Sequence, residues 1–423
     1  MTEAVAPTPQ AHRAFAALRH PGFAIYLTGT MLAMMADSVE HVISYWVIYE
    51  KFKSPALGGY AVISHWAPFL FFSIWAGGLA DRYDLRRIIQ LGMVLFMLCS
   101  LAWGALIFAD TLEVWHAVLI LTVHGMAGVL WAPASQLLIH DIVGRDSLHS
   151  GVRLIAMSRT LGLLGGPAVG GAMMLMLGPW IGMVVNVLIY LPLTWWLWKA
   201  PYGPKFRKEP QSVPIRERPG FAGIVKTARE IAGNRVVVSM TLLAGASSFV
   251  VGNAYQAQMP EFAADLGHDH ADVHYTMLFA ANAAGALVAG LFFETFNLLQ
   301  ARPKVAGVLV VIWCLCVGGF AVSDNFALSF GLLFAAGFLN LAFGAMTQTL
   351  VQIHAPQHLR GRVIGLYNMC YHGMRAFSGV TVGMGGALIG VHWSLGVSAA
   401  VLLVIALVLL AYELRTRAAD APN

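Results

Sequence analysis

Long apolar runs alternate with short polar turns along nearly the whole chain. Ala56 to Ala80 and Ile88 to Ala109 contain no Asp, Glu, Lys or Arg, and one short charged turn separates them. A helix that crosses a bilayer needs about 20 apolar residues, so each run predicts a membrane span. The same pattern predicts spans over 23–49, 114–139, 151–177 and 180–198, then over 236–258, 275–296, 305–322, 327–354, 363–389 and 394–414. Between the sixth and seventh lies the longest polar segment, rich in proline and basic residues.

That pattern fixes an expected organisation. Residues 1–22 form a polar N-terminal tail with no cleavable signal peptide. Residues 23–198 form one six-helix half, 199–235 a linker, 236–414 a second six-helix half and 415–423 a C-terminal tail. Phe221 to Ala232 within the linker reads as an amphipathic surface helix. Gln136 to Val152 resembles Gln348 to Val363, an internal similarity expected of transporters built from related halves.

Composition changes this picture little. The chain is 58% hydrophobic and 11% charged, whereas soluble domains carry about a quarter charged residues. The net charge of +5 suits anionic lipid rather than nucleic acid, because the basic residues sit in the turns. With both termini inside, cytoplasmic segments hold 22 of the 26 Lys and Arg residues, as the positive-inside rule requires. Only Lys51 and Lys53 then face outward. Cys99, Cys314, Cys316 and Cys370 all fall inside apolar runs and read as small buried residues.

The turn Gly77-Gly78-Leu79-Ala80-Asp81-Arg82-Tyr83-Asp84-Leu85-Arg86-Arg87 resembles the loop signature of the major facilitator superfamily. Asp84 stands where that family usually has glycine, and Leu85 where it often has a basic residue. The resemblance implies a conformational latch at Gly78, Asp81, Arg82 and Arg86. In the fifth span, Gly162, Gly166, Pro167, Gly170 and Gly171 resemble the superfamily's antiporter signature, which implies export. Small residues at this spacing also let another helix approach closely. With Leu18 to Tyr26 and Leu359 to Val363, these stretches resemble the drug:H+ antiporter branch that includes macrolide efflux proteins and the enterobactin exporter. The first helix departs from that branch, where Gly-Asp is followed by few charges. Here Ala36-Asp37 is followed by Glu40 and His41.

Those three residues are the clearest candidate chemistry. Asp37, Glu40 and His41 are spaced i, i+3 and i+4, so they share one helix face. Asp37 sits near mid-membrane, where a charge costs several kcal/mol unless it meets water or a partner. A carboxylate at that depth suits reversible proton binding, and the three are the expected coupling groups. A fixed ion pair between Asp37 and Arg159 is the competing expectation. Arg159 and Arg375 occupy equivalent helices of the two halves, and His372 lies one turn from Arg375. With Asn253, Gln256 and Asn282 they are the expected substrate-binding residues. His65 and His124 read as buried, satisfied histidines. The run His268 to His274 has the look of a metal patch, but capping by its acidic residues is the better reading.

The expectation is an all-α integral membrane protein with twelve transmembrane helices in two six-helix halves, in a bacterial-type inner membrane. It is a proton-coupled exporter of a small amphipathic, drug- or siderophore-like molecule that works by alternating access. The alternatives are uptake or flipping of an anionic metabolite or lipid, and export of a divalent metal ion. No nucleophile–base set argues for an enzyme. The expected partners are a small-molecule substrate, protons and membrane lipids; no cofactor, resident metal or nucleic acid is expected, and the chain is expected to be a monomer.

Overall fold

The computed structural model describes residues 15–144, 147–203, 221–267, 271–296, 302–356 and 360–419. They are almost wholly helical. The first half consists of α1 (Phe23–Phe52), α2 (Pro55–Arg82), α3 (Leu85–Phe108), α4 (Val114–Val143), α5 (Leu148–Leu177) and α6 (Pro179–Lys199). A linker helix, α7 (Phe221–Ile231), lies within the segment expected to carry a surface helix.

The second half departs from single straight helices. Its first span is split into α8 (Arg235–Val250) and α9 (Ala254–Leu266). The break falls at Gly252, whose φ of 51° is a left-handed conformation that glycine adopts at little cost. Pro260 lies inside α9, so this span runs past the expected end at Gln258 to Leu266. Next come α10 (Ala271–Phe296), α11 (Pro303–Ala321) and α12 (Phe326–His354). The eleventh span is broken into α13 (Arg360–Asn368), α14 (Arg375–Ser378) and α15 (Gly385–Ile389), joined by π-helical turns at Met369–Gly373 and Gly379–Met384. The chain closes with α16 (Val391–Ala419).

Among the described residues, nine helices are long and apolar enough by themselves to cross a membrane. The first span, with Asp37, Glu40 and His41, the second, and the broken eleventh are not among them. The first and eleventh carry polar or irregular stretches packed among other helices, which is where a membrane tolerates such groups. The outward faces are apolar: Leu188 and Val404 are 59% and 61% exposed. Exposed aromatics collect at both ends. Trp195 and Trp198 sit near the Tyr83 turn, and Phe108, Trp115 and Trp393 lie at the opposite, Lys51 end. These are the girdles expected at membrane surfaces.

The charged turn does not need the glycine that Asp84 replaces. Asp84 has φ −63°, an ordinary conformation, and caps α3 by accepting from the Arg86 backbone N–H. Its carboxylate also takes Arg86 Nε at 3.1 Å and an Arg86 terminal nitrogen at 2.7 Å. Partial burial pushes the Asp84 carboxyl up, but the hydrogen bonds and charge of Arg86 outweigh it and hold it below the usual carboxylate range. Arg86 Nη1 donates onward to the Ala200 carbonyl at 2.5 Å, which ties the turn to the end of α6. The helix therefore starts at Leu85, three residues before the expected Ile88. Gly78 and the side chains of Asp81 and Arg82 lie outside the described ones.

The halves meet towards the Lys51 end. Tyr275 Oη donates to the Val42 carbonyl at 2.7 Å, and Gln258 Nε2 to the Pro55 carbonyl at 2.9 Å. The Trp46 and Tyr275 rings stack at 5.7 Å. In α2, Gly59 lies directly against Gly379 and Gly383, so a Cβ added at either partner would overlap backbone. This close approach is available only without side chains, and it seals the Lys51 end. Gly383→Val should therefore hold that end open. Overpacking costs about 1–3 kcal/mol, enough to change a two-state ratio about 5- to 150-fold. Spin labels at the exposed Lys53 and Asp324 should move apart in the variant; an unchanged distance would mean that the glycine contact does not control closure.

Candidate functional site: a buried carboxylate–histidine cluster beside two arginines

Helix packing brings the candidate chemistry together. In α5, a Cβ at Gly162 would strike the Met31 carbonyl, and one at Gly166 would overlap Ser38. A Cβ at Gly170 would stand 3.1 Å from Val39 Cα. Ser38 Oγ donates to the Leu163 carbonyl at 3.2 Å. The glycine motif thus lies against the α1 backbone on both sides of Asp37. Gly171 instead faces Thr276 of α10, across the boundary between halves. In α4, Gly125 touches the Ser64 carbonyl of α2 closely enough to exclude any side chain. His124 and His65, the residues next to this contact, consequently have ring centroids 5.7 Å apart.

His124 is the hub. Its Nε2 lies 2.9 Å from Asp37 Oδ1 and its Nδ1 2.9 Å from Glu40 Oε1. The i, i+3 spacing on α1 lets both carboxylates reach one imidazole. Ser100 Oγ donates to the second Glu40 oxygen at 2.5 Å. Asn186 Nδ2 donates to Ser100 Oγ at 3.1 Å and to the Ala36 carbonyl at 3.0 Å. Four helices, α1, α3, α4 and α6, therefore converge on a buried carboxylate pair. His41 points its Nδ1 at the Asp37 carbonyl, 2.7 Å away, and approaches Asp37 Oδ2 at 3.7 Å. His65 lies 4.7 Å from the His41 ring, and its buried Nδ1 has no hydrogen-bond partner among the described residues. Side-chain exposure falls from 16% at His41 and 11% at Asp37 to 5% at His124 and 3% at Glu40, so the cluster is open along one edge. One ligand atom each from Asp37, His41, His65 and His124 lies within 4.8 Å of the others.

The partner of Asp37 is thus a histidine rather than Arg159. The Arg159 guanidinium lies 4.9 Å above the Trp131 ring instead. Arg375, in the second half, lies 5.1 Å from the Trp66 ring and 4.8 Å from the Tyr371 ring. Between them, His372 stacks on Trp66 at 6.0 Å. His372 has exposed surface although it stands beside Trp66 at the mid-depth of α2 and within electrostatic reach of both arginines. Neither arginine has a carboxylate partner in a salt bridge among the described residues.

The expected amides form a separate group. Gln256 Nε2 donates to Asn282 Oδ1 at 3.2 Å, and Asn282 Nδ2 donates to Tyr255 Oη and the Leu333 carbonyl, each at 3.2 Å. Asn253 stands at the N-cap position of α9 but makes no side-chain cap bond, and its buried Oδ1 finds no partner among the described residues. His268 to His270 lie outside the described residues. Asp272, in the first turn of α10, accepts from the following backbone N–H at 2.8 Å. All four cysteines are free.

Sequence reasoning left His65, His124 and Ser100 out of the site, and offered Asn186 only as a cavity-lining amide. Each is a polar residue inside an apolar run, and that was the only signal available for them. In His124-Gly125 the neighbouring glycine marks the contact that brings the partner helix near.

Two halves of helices, apolar outside and holding charge between them, define a membrane transporter of the major facilitator superfamily. Within it, residues 12–423 match the transmembrane secretion effector family, and the chain belongs to that family. It is 22% identical over 364 residues to the multidrug efflux pump Tap of Mycobacterium tuberculosis (strain ATCC 25618 / H37Rv), covering 82% of this chain and 83% of that one. It is 21% identical over 192 residues to the staphyloferrin A transporter of Staphylococcus aureus (strain NCTC 8325 / PS 47), 42% of this chain and 46% of that one. Among solved structures it is similar to a bacterial homologue of the human lysosomal transporter Spinster in an inward-facing, unoccupied conformation. The TM-score is 0.69 at 17% identity, over 98% of this chain and 100% of that one. The inward-open xylose transporter XylE of E. coli gives 0.65 at 16% identity, over 92% and 95% of the two chains.

The cluster also carries a stability consequence. Removing one member of a buried ion pair costs about 3–5 kcal/mol, because it leaves the other charge uncompensated. Replacing a neutral buried hydrogen-bonding group costs about 1–3 kcal/mol. His124→Ala should accordingly lower the thermal unfolding midpoint of the purified protein more than Asn186→Ala does. The reverse order would show that His124 is not what offsets the two carboxylates.

Proposed function

We propose that the protein exports a small amphipathic molecule bearing an acidic group, by alternating access and in exchange for protons, across a bacterial plasma membrane. The Lys51 end faces outward in this reading, both termini face the cytoplasm, and the conformation described is inward-facing. The observation that carries the proposal is the pair Arg159 and Arg375. They lie in equivalent helices of the two halves, on aromatic faces, beside space that solvent can reach. A cation inside a membrane protein is costly unless water or an anion meets it. Trp131, Trp66 and Tyr371 offer flat apolar surface next to the charge, which suits an amphipathic anion. The coupling cation is held at Asp37, Glu40 and His41, in the same half as Arg159. Export is supported by the glycine motif of α5 and by the likeness to an efflux pump. A second reading, uptake or flipping of an anionic metabolite or lipid, draws on the same two arginines and differs in direction.

Proteoliposomes loaded with candidate compounds test this directly. An imposed pH gradient should drive accumulation of an acidic amphipathic compound, and a protonophore should abolish it. Arg375→Ala should weaken apparent affinity for the acidic compound about 10- to 100-fold. That follows from losing a charged hydrogen bond of roughly 1.5–3 kcal/mol, at 1.4 kcal/mol per tenfold. An uncharged analogue should be much less affected. Equal loss for both analogues would remove the anion-binding role, and transport indifferent to the pH gradient would remove proton exchange.

A further inference from the structure

We infer that Asp37, His41, His65 and His124 form a binding site for a divalent transition-metal ion, with Glu40 as its outer support. Transition-metal sites recur with one pattern: each ligating imidazole donates its other ring N–H to a carboxylate or a backbone carbonyl, which fixes the free nitrogen. Two histidines here already satisfy it. His41 Nδ1 donates to the Asp37 carbonyl, so Nε2 carries the lone pair. His124 Nδ1 faces Glu40, whose other oxygen is held by Ser100, which leaves Nε2 directed at Asp37. His65 offers a buried Nδ1 without a partner among the described residues, an orphan that is expensive in a membrane interior. Asp37 supplies the carboxylate oxygen.

The arithmetic is favourable. Ligands about 2.0–2.1 Å from a tetrahedral Zn2+ stand roughly 3.4 Å apart; one ring nitrogen of each histidine and an Asp37 oxygen already lie within 4.8 Å of one another, so that set must close by at most about 1.4 Å. Side-chain rotation covers that distance. The charges match as well: two buried carboxylates, Asp37 and Glu40, share the single His124 ring, and a dication bound by neutral imidazoles would offset both. Three imidazoles and one carboxylate, with no thiolate among them, select Zn2+, Co2+ or Ni2+ over Mg2+ and Ca2+, which prefer all-oxygen shells. His41 forms the more exposed edge of the site, from which an ion can arrive. The ion occupies groups that the export reading assigns to the coupling protons, so metal and protons compete for Asp37 and His41; the inference does not depend on the identity of the organic substrate.

The test uses purified full-length protein stripped with a chelator and then titrated with Zn2+ and Co2+. One Zn2+ should bind per chain, and Co2+ should give the intense visible bands of a tetrahedral site. Zinc-edge X-ray absorption of the unaltered protein should show nitrogen and oxygen neighbours with imidazole scattering; this needs no variant to fold. His65→Ala and His41→Ala should each lower affinity at least about 100-fold, and Glu40→Gln about 10- to 100-fold. The double variant His268→Ala/His270→Ala should bind as the unaltered protein does. A weak octahedral Co2+ spectrum would overturn the inference, as would binding that survives His41→Ala and His65→Ala. So would binding that vanishes with His268 and His270. Because metal binding is read without transport, its failure leaves the pH-gradient result untouched, and the reverse also holds.

Discussion

Two carboxylates buried side by side in a membrane protein set the terms for the rest of the first half. Asp37 and Glu40 are 8% and 2% exposed, one helical turn apart. Each would cost several kcal/mol alone at that depth, and together they repel. His124 answers both with one ring, Ser100 and Asn186 complete the hydrogen bonds, and α1, α3, α4 and α6 are thereby fixed around one point. The glycines follow from the same demand. Gly162, Gly166 and Gly170 let α5 lie on the α1 backbone, and Gly125 brings α2 and α4 close enough for His65 to join.

The second half is built differently. The seventh and eleventh spans of the chain are broken, at Gly252 and at two π-helical turns, and the broken stretches lie where the halves meet. Gly379 and Gly383 fall in one of those turns and touch Gly59. π-turns and glycine breaks leave backbone groups that only enclosed positions tolerate. A firm first half thus closes against a less regular second half. Arg375, on the short helix between the two π turns, packs on Trp66 of the first half, so an opening of that contact would change its surroundings.

The helices and their pairing into halves were legible from apolar run length alone, and the face shared by Asp37, Glu40 and His41 from helical spacing. What lies across a contact was not. The competing expectation paired Asp37 with Arg159 by charge, yet His124, 87 residues away, holds it. Nothing in α4 encodes that neighbour except a polar residue beside a glycine. Asp84 shows the same limit at a turn: the family position suggests glycine, but the cap to Arg86 makes an ordinary backbone sufficient. The boundary of α9 was missed because Pro260 reads as a stop, whereas here it sits inside a helix that packs on the other half.

The claim that His124 and Glu40 act as one unit is most directly tested by a double-mutant cycle in thermal unfolding, with Glu40→Gln, His124→Gln and the pair. Residues in one buried network show interaction energies of about 0.5–3 kcal/mol. The account predicts a coupling of at least about 1 kcal/mol, with the double variant less destabilised than the sum of the singles. Simple additivity would contradict it.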